Sequence, residues 1–112
     1  MEIVRSKIGY EILKKAADEY YYDMVKAVVD VEREIMAIGG EMHADDEYIL
    51  LDDGSFQQNL WGINIWINKP RENWIEFDSM INIRPKQNNR TRSVEDEELR
   101  EKIIQIVNSL II

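Results

Sequence analysis

Hydrophobic and polar positions alternate with two distinct periods along this chain. From Gly9, apolar residues fall at Ile12, Leu13, Ala16, Ala17 and Tyr20, with Glu11, Lys14, Lys15, Asp18 and Glu19 between them. That stripe predicts an amphipathic helix ending near Tyr21. From Met24 the period drops to two. Val25, Ala27, Val29 and Val31 share one face, and Lys26, Val28, Asp30 and Glu32 the other, as in a strand. Glu32-Arg33-Glu34 reads as a hairpin turn into a second strand, Ile35 to Ile38, closed by Gly39-Gly40. Residues 2–5 suggest a short strand ahead of the first helix.

The segment 41–53 holds six carboxylates and no base, and Ala44, Tyr48, Ile49 and Leu51 suggest a short helix stopped by Gly54. Leu60 to Asn68 alternates cleanly, with Trp61, Ile63, Ile65 and Ile67 inward. Trp74 to Arg84 alternates again, with Ile75, Phe77, Ile81 and Ile83 inward. These two predict a long hairpin, which places Trp66 opposite Glu76 and Asn64 opposite Asp78 if it pairs about Arg71. After a loop, Ser93 reads as the N-cap of a last helix, with Asp96 at N3 and a stripe from Leu99 to Leu110.

The order (β)αββαββα predicts an α+β fold. It has two layers: an antiparallel sheet of about four strands, with two or three helices mainly on one face, led by the first and last. At 112 residues the chain is expected to be a single domain. No cysteine is present, so disulfides, thiolate metal sites and cysteine nucleophiles are excluded. No secretory pattern and no bilayer-long apolar run is seen, and a cytoplasmic location is expected. Net charge is −8, all of it from residues 1–58, which carry 6 bases and 14 acids; residues 59–112 carry 8 of each. That balance disfavours nucleic acid and favours a basic protein partner.

Three regions carry candidate chemistry. The outward sheet face gathers Asn64, Trp66, Asn68, Glu76, Asp78, Asn82 and Arg84, joined by Lys26, Asp30 and Glu32 if the first hairpin packs alongside. The simpler reading is a solvated face. Trp66 and Met80 stand out there as large apolar groups suited to a homodimer interface. The acidic segment around His43 offers one imidazole beside Asp45 and Asp46; one histidine without ligand spacing does not make a metal site, and no metal or cofactor is expected. Arg84, Lys86, Arg90 and Arg92 lie in a run without acids. They either bind a small anion, together with Asp78, Asn82 and Asn64, or pair with Glu95–Glu98.

No P-loop, dinucleotide fingerprint, HExxH run or nucleophile elbow occurs. Glu76 and Asp78, at i and i+2, are placed to share a proton. Ser79 reads as a small core-side residue. Whether the protein is an enzyme stays open. Two functions are expected: a non-catalytic homo-oligomer, a dimer through the outer sheet face or the apolar end Leu110-Ile111-Ile112, or a small anionic-ligand-binding protein or enzyme.

KAVVDVEREIMAIGGEMHADDE (26–47), NLWGINIW (59–66) and WIEFDSMINIRPKQNNRTRSVED (74–96) resemble a family of small, uncharacterised bacterial and archaeal proteins, a domain of unknown function. The resemblance covers most of the chain and implies a whole-chain domain, but no activity, ligand or catalytic residue. The family's loop often carries glycine where this chain has Asn88. Asparagine tolerates the left-handed conformation next best, so the turn is expected to survive.

Overall fold

The computed structural model describes residues 1–112. Five strands form one antiparallel sheet: β1 (Glu2–Val4), β2 (Met24–Asp30), β3 (Ile35–Ile38), β4 (Leu60–Trp66) and β5 (Ile75–Glu76), in spatial order β1-β3-β2-β4-β5. Three helices, α1 (Tyr10–Tyr20), α2 (His43–Asp52) and α3 (Glu97–Leu110), complete an α+β fold.

Side-chain alternation decides which helix covers which face. Val25, Ala27 and Val29 of β2, Met36 and Ile38 of β3, and Trp61, Ile63 and Ile65 of β4 point to one side. They pack there against Leu13 and Ala17 of α1 and Ile103, Ile106, Val107 and Leu110 of α3, in a core of 19 buried residues. The opposite side holds a smaller cluster, Val28, Ile35, Ala37 and Leu60, capped by Leu50 of α2. The sheet is therefore covered on both faces, and α2 adds a third layer where two were expected. The strands number five rather than about four, because Glu2–Val4 joins β3 as an edge strand.

The final hairpin departs most from expectation. Pairing of β4 with β5 is limited to Asn64↔Glu76 and Ile65↔Ile75, two residues out of the expected register. A shift of two keeps the faces unchanged, since alternation has period two. Beyond Glu76 the chain leaves the ladder. Ser79 caps a 3-10 turn (Met80–Asn82) through its Oγ, which accepts the N–H of Ile81. The reason lies in β4. Gly62 has no side chain, and a Cβ there would come within 2.6 Å of Ser79 Cβ and Oγ. Ser79 settles into that gap, and the Asn82 amide takes over the ladder: the Gly62 N–H donates to Asn82 Oδ1 at 2.8 Å, and Asn82 Nδ2 donates to Gly62 C=O at 3.0 Å. One side-chain amide thus replaces a strand peptide. Of the four residues expected inward, Ile75 and Phe77 pack on the large core and Ile81 on the small one, while Ile83 is exposed.

A second asparagine fixes the next loop. Asn89 Nδ2 donates to the carbonyls of Asn82 and Ser93, both at 2.7 Å, and its Oδ1 accepts the N–H of Glu95 at 2.9 Å. Asn88 adopts the left-handed conformation at φ 60°. With Ser93 and Glu95 held this way and Val94 fully buried, α3 begins later than expected. Its N-cap is Asp96, whose Oδ1 accepts the N–H groups of Glu98 and Leu99.

Candidate functional site

The sheet face beneath α2 carries a pocket of about 240 Å³. Its floor is Lys26 of β2 and Asn64 of β4, which are direct partners in the ladder. Its walls are Met42, His43 and Ala44 at the start of α2, and Asp78, Ser79, Met80 and Ile81 on the other side; Arg92 reaches in from the loop before α3. Three of the six residues expected to bind a ligand therefore meet here: Asn64, Asp78 and Arg92. Met80, expected at an interface, stands at the rim.

Several polar groups in the pocket are held by the chain itself. Arg92 Nε and Asp78 Oδ1 form an ion pair at 2.6 Å, which ties the guanidinium to the pocket wall. Asn64 is buried, and its Nδ2 donates to Glu76 Oε1 at 2.9 Å and to Asp78 C=O at 3.3 Å. Both acceptors fix the amide orientation, and Asn64 Oδ1 is left with no partner in the chain. Buried carbonyl oxygens are seldom left so. The same Glu76 oxygen accepts Trp66 Nε1–H at 3.1 Å. Asn64 and then Trp66 hold the Glu76 carboxyl below the usual range. Glu76 and Asp78 thus face separate partners and share no proton.

His43 is buried, since α2 lies across the sheet. Its Nε2 and the Ile63 carbonyl oxygen are 2.8 Å apart, so Nε2 carries the proton in the neutral ring and Nδ1 is an acceptor. Burial pushes its pKa down, against the carbonyl of Ile63, which pulls it up. Its spacing from Asn64, across two elements, leaves no local trace in the sequence.

The other expected ligand residues lie elsewhere. Arg84 is stacked on the Trp61 ring, 3.9 Å from its centroid, and donates to the carbonyls of Gln57 and Leu60. Burial lowers its pKa. Asn82 is consumed by Gly62 and by the Arg92 carbonyl. Arg90 is exposed and outside the pocket. None of these arginines forms an ion pair with Glu95–Glu98. Glu95 instead accepts the N–H groups of Arg90 and Thr91, which lower its pKa, and Glu97 pairs with Arg100.

The expected interface residues are partly occupied within the protomer. Trp66 bonds Glu76 and lies under Lys69 Nζ, 4.9 Å from the ring centroid. Leu110 and Ile111 are buried, and Ile111 forms a bridge with Ile8. Met80 is exposed.

With the geometry in place, comparison with known proteins adds one relation. Residues 2–110 match the family described as protein of unknown function (DUF5674). The chain belongs to this family. No curated protein and no solved structure matches it. Membership spans nearly the whole chain, so α2 and the pocket lie inside the family's domain, and no activity comes with it. No helix is long and apolar enough to cross a membrane.

The largest depression on this member of the family, about 700 Å³, is an open groove along α3 walled by Glu34, Glu97, Glu98 and Glu101. Four of its eight lining residues are glutamates, beside the single cation Lys102. The smaller pocket is the better candidate, because it alone joins buried polar groups to two cationic side chains.

Proposed function

We propose that this domain binds a small anionic molecule, a carboxylate or a phosphate ester, in the pocket between α2 and the 76–81 segment. One observation carries the reading: in a chain of net charge −8, this pocket is lined by Lys26 and Arg92 against the single carboxylate Asp78. Asp78 engages Arg92 through Nε, which leaves both Nη groups for a bidentate acceptor. Lys26, on the neighbouring strand, supplies a second cation. The neutral His43 offers an acceptor for a hydroxyl or a protonated phosphate oxygen. Met42, Ala44, Met80 and Ile81 provide apolar walls for the ligand's body.

The test is a thermal-shift and calorimetry screen at low salt with inorganic phosphate, citrate and a series of small carboxylates. At least one should raise the melting temperature, and its affinity should fall about tenfold or more in Lys26→Ala and in Arg92→Ala. Arg90→Ala, which lies outside the pocket, should bind normally. Equal losses in Arg90→Ala and Arg92→Ala would indicate diffuse charge attraction, and a screen with no binder would sink the reading.

A further inference from the structure

We propose that the outward face of α2 docks an amphipathic segment of a partner protein that carries lysine or arginine beside its apolar anchors. The inference shares Met42, Ala44 and Met80 with the pocket rim but does not rest on which ligand the pocket binds.

It rests on how α2 differs from the other two helices. α1 and α3 turn apolar residues to the sheet and charged residues to water. α2 buries His43 and Asp46 beside Leu50. Ala44, Tyr48 and Leu51, at i, i+4 and i+7, form a stripe on its outer side, with Tyr48 60% and Leu51 41% exposed. Met42 and Met80, both exposed, extend that stripe across the pocket mouth, which they line with Ala44. A helix with apolar residues on both sides is built for burial on both sides. A continuous exposed apolar band marks an interaction site, and methionines at its end allow it to adapt.

Charge selects the occupant. Asp45 and Asp52, seven residues apart, run beside the stripe, Glu41 precedes it, and residues 41–53 contain no base; the cations Lys26 and Arg92 border only its end at the pocket mouth. A second copy of this chain laid on the face would set carboxylate against carboxylate. An anionic membrane surface would be repelled in the same way. A partner helix with basic residues flanking its apolar positions satisfies both the stripe and its acidic border.

Fluorescence anisotropy with two labelled peptides of leucine and lysine tests this. One peptide is ordered to be amphipathic as a helix, and the other is a scramble of the same composition. Wild type should bind the ordered peptide about tenfold more tightly than the scramble. Tyr48→Ser with Leu51→Ser, with its melting temperature checked, should lose that preference, and Asp45→Asn with Asp52→Asn should weaken binding of both peptides. Equal affinity for the two peptides would overturn the proposal, as bulk charge attraction. A preference that survives Tyr48→Ser with Leu51→Ser would also overturn it, and would point instead to the carboxylate groove of α3. So would a dimer in native mass spectrometry that those same substitutions dissociate, because the occupant would then be a second copy.

Discussion

The sheet face under α1 and α3 buries a continuous cluster of 19 hydrophobic residues, whereas the face under α2 buries five. Around those five the structure sets most of its buried polar groups: Asp30, His43, Asp46, Asn64, Ser79 and Asn82. Burying an aliphatic side chain contributes roughly 1.5–3 kcal/mol, while a buried polar group costs free energy unless it is bonded. The first face therefore supplies most of the stability, and the second spends some of it on fixed polar geometry. Asp30 shows how this is done: its carboxylate accepts the N–H groups of Glu32 and Arg33 and the hydroxyl of Ser55. The pocket and the exposed stripe of α2 both lie on the costlier face, where selection for stability alone would have placed leucines.

Three measurements sharpen this contrast. The largest effect is expected at Asp46. It is fully buried, with Oδ1 accepting the Gly40 N–H at 3.0 Å and Oδ2 unpartnered. Burial pushes its pKa up to about 7. A carboxyl raised on folding contributes stability below its unfolded pKa and loses it as pH rises through the folded value. Asp46→Asn keeps the Oδ1 acceptor and removes the titration. Wild type should therefore lose stability relative to the variant between about pH 4 and pH 7, by on the order of 4 kcal/mol, in urea unfolding across that range. Parallel pH curves for the two proteins would mean that Asp46 is not held in a dry site.

On the other face, Ile103→Ala removes a fully buried side chain from the large core and should cost about 3 kcal/mol at every pH. A cost near zero would show that the α3 face is not the stabilising one. The smallest of the three, Asn82→Ala, strips the Gly62 N–H and C=O and the Arg92 carbonyl of their partner. It should cost about 2 kcal/mol and, by releasing the segment that carries Asp78 and Arg92, also weaken anion binding. Unchanged anion affinity in a folded Asn82→Ala protein would separate the pocket from this scaffold.

The helices and the central strands were legible because their side chains obey a period that burial enforces. β2 and β3 were expected to begin at Met24 and Ile35, and they do; β4 begins at Leu60, and α1 was expected within a residue of its ends. The last strand was not legible for a physical reason. Alternation reports which face a residue takes, not whether its backbone finds a strand to pair with. The stretch 77–84 keeps the apolar spacing of a strand, yet its backbone bonds go to its own 3-10 turn, to Arg92 and to Asn89, and it meets β4 through the Asn82 side chain. Its neighbours in sequence make Arg84 a ligand candidate, but Trp61, far away in the chain, holds it. The sequence offers His43 as a surface histidine or a metal-ligand candidate, since nothing in it shows that α2 crosses to Asn64. Asn64, Asp78 and Arg92 line one pocket because period-two geometry places the first two on one face, and the loop is short enough to return the third.

The bonds that Asn82 and Arg84 make to β4 also bear on solubility. LWGINIW is rich in isoleucine and tryptophan and carries no charge, the composition that templates strand addition when its edge lies open. β5 covers that edge only at Asn64 and Ile65. Over Leu60 to Gly62 the carbonyls and the N–H that would recruit a foreign strand are already taken, by a guanidinium and a carboxamide. Two side chains thereby close this end of the β4 edge, leaving no ladder there for another chain to extend.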